Sequence, residues 1–160
     1  MTLLEVVLYI ALSAIILGAV AVLYGVVQAH ESRLHAETAV DEAANELFAK
    51  VTQTIRSSER VLSPSQGSDD TTLTLGMRSE DPSSVVFSVA SGTAYESDGD
   101  TTPVVLTPPD VVIDSLTFDN FSTASSSDSI RITLTLQYKN PGGRSEAEYM
   151  RTYYATANTR

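Results

Sequence analysis

The chain has 160 residues, the length of one ordinary domain. Its formal net charge of −10 disfavours a surface that reads nucleic acid through phosphate contacts. It contains no cysteine, which excludes disulfides, thiolate metal sites and a cysteine nucleophile.

The first predicted element is an apolar helix. No charged side chain occurs between Glu5 and Glu31, and residues 6–27 are almost entirely apolar. At about 1.5 Å per residue this run spans roughly 33 Å, which matches the hydrocarbon core of a bilayer. A cleaved secretory signal is disfavoured because the start carries an acid and no base, whereas an ordinary signal anchor stays open as an alternative.

Glu5 is the most informative residue of this helix, because a carboxylate at a membrane span usually has a function and a partner. The apolar run offers it no basic side chain, so an α-amino group is the nearest cation. That amine belongs either to the same chain or to a neighbouring one. A carboxylate that only reaches the lipid headgroups is the remaining alternative.

The run Thr2-Leu3-Leu4-Glu5, followed by an apolar helix, resembles the mature N-terminus of type IV pilins and type II secretion pseudopilins. The resemblance implies that a prepilin peptidase removes a short basic leader before residue 1 and that the amine of Met1 is methylated. It also implies that Glu5 pairs with the N-terminal amine of an adjacent subunit. The expected assembly residues are therefore residues 1–5, which are Met1, Thr2, Leu3, Leu4 and Glu5.

The chain departs from the family pattern at two positions of the helix. Met1 replaces the usual Phe, and we favour a processed residue over an initiator. Val22 stands where a helix-kinking Pro is usual. Gly18 and Gly25 are then the expected sites of flexibility, since glycine lowers helix propensity by about 1 kcal/mol relative to Ala. Both also suit close packing between helices.

The helix is predicted to continue to residue 58, because polar residues appear after Gln28 without a proline until Pro64. Apolar residues recur at steps of three and four, which predicts one buried stripe. The stripe consists of Val40, Ala43, Ala44, Leu47, Phe48, Val51 and Ile55. The other face carries the charged residues Glu37, Asp41, Glu42, Glu46 and Lys50, with Glu46 and Lys50 spaced to pair.

The remainder is predicted to be a β-rich head. Candidate strands cover residues 73–77, 85–90, 104–107, 111–118, 130–138 and 147–155, with turns at Ser91-Gly92 and at residues 140–143. Residues 63–72, 95–103 and 120–129 are expected to be exposed loops. The predicted class is α+β, a long helix packed on an antiparallel sheet, and it agrees with the pilin fold. The whole chain is thus divided into three segments: residues 1–27 for the membrane or filament core, 28–58 for the amphipathic continuation of the helix, and 59–160 for the head.

Catalytic and metal-binding patterns are weak. His30 and His35 lack the spacing of a two-histidine metal helix and are expected to be packing or interfacial residues. Glu96, Asp98 and Asp100 alternate and form a weak calcium candidate, for which a solvated turn is the simpler interpretation. Asn120-Phe121-Ser122 fits a glycosylation sequon, and the Ser/Thr-rich loops, for instance residues 125–127, suit hydroxyl-linked sugar, but no glycosylated position is fixed.

The expected function is structural and not enzymatic, with no cofactor. The chain would be anchored in the cytoplasmic membrane and then polymerise into an extracellular type IV pilus-like filament. Its partners would be identical subunits, the prepilin peptidase and an inner-membrane assembly platform. The alternatives are a minor pilin or pseudopilin of a secretion or competence apparatus, or a membrane-anchored binding module that never polymerises.

Overall fold

The computed structural model describes residues 2–78, 84–98, 102–123, 127–143 and 145–159. Helix α1 (Leu3–Ser57) is followed by strands and a short 3₁₀ turn, Ser145–Ala147. The strands are β1 (Arg60–Ser63), β2 (Asp69–Asp70), β3 (Leu73–Gly76), β4 (Ser84–Ala90), β5 (Thr93–Asp98), β6 (Val104–Val105), β7 (Val111–Asn120), β8 (Ser129–Tyr138) and β9 (Met150–Asn158). The predicted α+β class is confirmed.

Helix α1 is continuous and has 55 residues, so it is about 82 Å long. At its start, Thr2 and Glu5 form a capping box, the arrangement that satisfies free backbone N–H groups of the first turn. At its end, Ser58 is extended, and its hydroxyl donates to the Ile55 carbonyl at 2.6 Å. The helix predicted over residues 1–58 is therefore confirmed to within two residues at the described end points.

The strands form two antiparallel sheets where the sequence predicts one. The first sheet has the order β1-β3-β4-β5-β6, and the second has the order β2-β7-β8-β9. The predicted turn at Ser91-Gly92 joins β4 to β5, and Gly92 adopts a φ of +75°. A Cβ atom at Gly92 would lie 2.6 Å from Val112 Cγ1, so glycine is also required by the close approach of β7.

The core lies between α1 and the inner faces of the two sheets. Of the predicted helical stripe, all residues are buried except Phe48, which is half-buried against the core. Alternate β8 residues face the helix as predicted: Ile130, Ile132, Leu134 and Leu136. The first sheet adds Leu73, Leu75, Val85 and Phe87 to the same core.

Several predicted strand limits are wrong. The last strand begins at Met150 and not at Ala147, because Ala147 is buried in the 3₁₀ turn that packs on α1. The expected loop at 95–103 is partly strand, since β5 runs to Asp98 and pairs with β4. The short strands β1 and β2 were not predicted, and β2 lies inside the expected loop at 63–72.

Candidate functional site

The first half of α1 projects from the head without cover. We call residues 3–27 the apolar segment. Its most apolar 18-residue window has a mean hydropathy of 2.8 and no buried residue, whereas Val40 further along the same helix is 0% exposed. By length and composition this helix can cross a membrane. The head covers only the second half of the helix, so the apolar segment has no partner within the described chain.

Glu5 lies in the first turn of the apolar segment and is partly exposed. Its Oε2 accepts the Thr2 backbone N–H at 3.4 Å, and its own N–H donates to the Thr2 carbonyl at 3.0 Å. Leu3 and Leu4 are 84% and 76% exposed, so they are available to contact a neighbour. Met1, the predicted methylation site and source of the pairing amine, lies outside the described residues.

Gly18 and Gly25 lie within the unbroken part of α1, and a Cβ atom at either position would meet nothing within 4 Å. No contact inside the described chain therefore requires a small residue at these two positions. The helix is regular at both, and their predicted flexibility in an assembly stays a prediction.

A polar cluster fixes the helix to the C-terminal strand. The Tyr153 hydroxyl donates to Asp41 Oδ1, and Arg151 Nη1 lies 3.3 Å from the same oxygen. The Tyr153 ring also meets the Phe48 ring edge-on, with centroids 6.5 Å apart. Burial and the hydrogen bond to Asp41 raise the pKa of Tyr153. The sequence placed Asp41 on the charged face of the helix, and its side chain is 39% exposed, but the sequence did not predict its contacts with the last strand.

Lys50 pairs with a residue of the head, although the sequence predicts that it pairs with Glu46 on the same helix. Lys50 Nζ lies 3.0 Å from Glu96 Oε2, and the Glu96 side chain is 15% exposed. Glu96 belongs to β5 and shares a strand face with Asp98. The described residues contain no group of three His, Asp or Glu side chains that could hold a metal ion. Asp100, the third member of the calcium candidate, lies outside them.

The side-chain amide of Asn120, to which a sugar would attach in this sequon, is buried. Asn120 is 4% exposed, its Nδ2 donates to the Pro64 carbonyl at 2.8 Å, and its Oδ1 accepts the Ser122 N–H at 3.0 Å. Attachment of sugar at Nδ2 would break this network, so the folded chain disfavours Asn-linked sugar at this position. Residues 125 and 126 of the serine run are outside the described residues.

Both histidines are exposed, and each lies beside a different part of the head. The His35 ring meets Tyr138 of β8 edge-on, with centroids 6.1 Å apart. His30 lies beside Arg33 in a groove between α1 and the 3₁₀ turn. Sequence reasoning missed this groove, because its second wall comes from residues more than a hundred positions along the chain.

Comparisons with models of protein families, with curated proteins and with solved structures found no match. The fold and the exposed helix therefore define only a class, an α+β protein in which a β-rich head packs on a long helix that has the length and composition to cross a membrane.

Proposed function

We propose that this chain is the structural subunit of a type IV pilus-like filament, held in the membrane by its apolar segment before assembly. The observation that carries the proposal is the uncovered apolar segment with a single carboxylate, Glu5, in its first turn. The head is built without using this segment. The apolar segment therefore serves to contact lipid or another molecule and not to stabilise the head.

The apolar segment requires a partner on energetic grounds. Covering a Val, Leu or Ile side chain is worth about 1.5–3 kcal/mol, and this segment exposes more than a dozen large hydrophobic side chains. Because it is apolar on every side, it suits lipid before assembly and a bundle of identical helices afterwards. One repeated head-to-tail contact that does not close generates a helical fibre.

The charge on Glu5 favours a role in assembly over a role in anchoring alone. Removing one partner of a buried ion pair costs about 3–5 kcal/mol, because the other charge is left uncompensated. A neighbour's N-terminal amine would neutralise Glu5 in the fibre core and set the axial register between subunits. The hydrogen bond to Thr2 is a local alternative that a lone subunit can make.

The two roles of Glu5 are separated by Glu5→Gln. Glutamine serves at this position of a capping box as well as glutamate does, but it carries no charge. The matched control is Glu31→Gln, which removes a carboxylate from the same helix outside the apolar segment. Cells that carry the assembly machinery would produce each full chain, and electron microscopy would count filaments in sheared surface material.

We expect filaments from the wild type and from Glu31→Gln, and few or none from Glu5→Gln, with equal amounts of chain in the membrane. Filaments from Glu5→Gln at the wild-type level would overturn the charge-pairing role. Membrane protein that never forms filaments, in any variant, would favour the anchored binding module. Incorporation only at low ratio into filaments of another subunit would favour a minor pilin or pseudopilin.

A further inference from the structure

The groove beside His30 and Arg33 lies where the apolar segment ends. One helix stripe, spaced three and four residues apart, forms its first wall: Val26, Ala29, His30 and Arg33. Ser145 and Glu148, at and just after the 3₁₀ turn, form the second wall. The groove has a volume of about 460 Å³, enough for a small polar group.

The depth of the groove follows from helix geometry. Residues 6–27 match the hydrocarbon core, and each later residue rises about 1.5 Å. His30 is then roughly 4–5 Å beyond that core, and Arg33 is roughly 9 Å beyond it. The headgroup layer on each side of a bilayer is about 5–8 Å thick. The apolar end of the groove thus meets the acyl chains. The Arg33 backbone lies just outside the headgroup layer, but helical side chains tilt toward the helix N-terminus, here toward the membrane, and arginine is long enough to bring its guanidinium back to the headgroups.

Two opposite charges line this groove without pairing to each other. In the described part of the chain, neither Arg33 nor Glu148 has an ion-pair partner within 4 Å. A guanidinium binds phosphate oxygens well, and a carboxylate binds an ammonium that carries N–H donors. The groove therefore presents one site for each end of a zwitterion.

We propose that this groove binds the headgroup of a phospholipid with a primary ammonium, of the phosphatidylethanolamine class. Arg33 takes the phosphate and Glu148 takes the ammonium. The net charge of −10 disfavours a purely anionic lipid. A choline headgroup has no N–H to donate to Glu148. The inference rests on the proposed membrane-anchored state of the chain.

The test uses the full chain in vesicles of phosphatidylcholine with equal parts of phosphatidylethanolamine or phosphatidylglycerol, all with the same acyl chains. Flotation first measures whether the chain is in the membrane. Native mass spectrometry of the protein released into detergent then measures which lipid stays bound. Free phosphoethanolamine, added at the release step, tests whether the headgroup alone competes.

We expect phosphatidylethanolamine to be enriched about two- to five-fold over phosphatidylcholine, the factor that an exposed ion pair can supply. Arg33→Gln and Glu148→Gln should each remove this enrichment. The matched control Glu31→Gln, at the same depth but outside the groove, should keep it. Loss of enrichment on adding phosphoethanolamine would also support a headgroup site.

Equal retention of all three lipids, or preference for phosphatidylglycerol, would overturn the proposal. So would enrichment that survives both groove variants. Absence of the chain from floated vesicles would instead refute the membrane-anchored state itself, so the two failures are distinguishable.

Discussion

Leu47→Ala is expected to weaken the joint between the helix and the head. Leu47 is 3% exposed and belongs to the core that α1 shares with both sheets. Leu→Ala changes in cores cost about 2–5 kcal/mol, depending on how far the neighbours close the cavity. Leu47 borders an open groove of about 440 Å³ that also involves Leu106, so its surroundings can relax. We therefore expect a loss of about 2–3 kcal/mol in the free energy of unfolding.

The matched control is Leu34→Ala on the same helix, because Leu34 is 50% exposed and lies outside the core cluster. This change should alter the free energy of unfolding by less than about 0.5 kcal/mol. The measurement is urea unfolding of the full chain in mild detergent, followed by the near-ultraviolet circular dichroism of its tyrosines. Equal effects of the two variants would refute the packing of the helix on the head.

Three further variants test the head by the same unfolding measurement. Gly92→Ala should cost about 1–3 kcal/mol more than Gly67→Ala, because both glycines have a φ of +75° but only Gly92 faces a close contact; equal losses would contradict this. Tyr153→Phe should cost about 1 kcal/mol by removing the bond to Asp41. Since the folded pKa of Tyr153 is raised, its contribution is fully present below pH 10.0, the ordinary tyrosine pKa, and declines above it. The stability difference between wild type and Tyr153→Phe should therefore shrink as pH rises, and a constant difference would count against it. Asn120→Ala should cost about 1–3 kcal/mol by leaving buried backbone groups unpaired, and a neutral effect would dispute the network.

The helix and strands β7 and β8 of the second sheet could be predicted from the sequence because their signals are local. The apolar run and the later stripe both follow the helical period, and no proline interrupts them before Pro64. Strand β8 alternates apolar and polar residues throughout, so its buried face could be named. In each case the pattern arises because one face of a single helix or strand is in apolar surroundings, so the apolar residues recur at that element's own period.

The first sheet was harder to predict because its strands are short or polar and are fixed by distant partners. Strand β5 contains Glu96 and Asp98, residue types that are uncommon in strands, and it is paired along β4. Glu96 faces Lys50 of the helix, a contact that no local spacing reveals. The same limit explains Asp41, whose partners Tyr153 and Arg151 come from the last strand.

The central claim is that Glu5 pairs with the N-terminal amine of another subunit. Zero-length carbodiimide cross-linking joins a carboxylate to an amine only where the two are in contact. Cells would be moved from ordinary to ¹⁵N medium while assembly is held off, so that filaments formed afterwards draw on equal pools of unlabelled and ¹⁵N-labelled chain. The linked peptides would be read by mass spectrometry. We predict a bond between Glu5 and a neighbour's N-terminal amine, with half of the linked peptides carrying one labelled and one unlabelled partner. Linked peptides of a single label only, or no bond at Glu5 in intact filaments, would contradict the account.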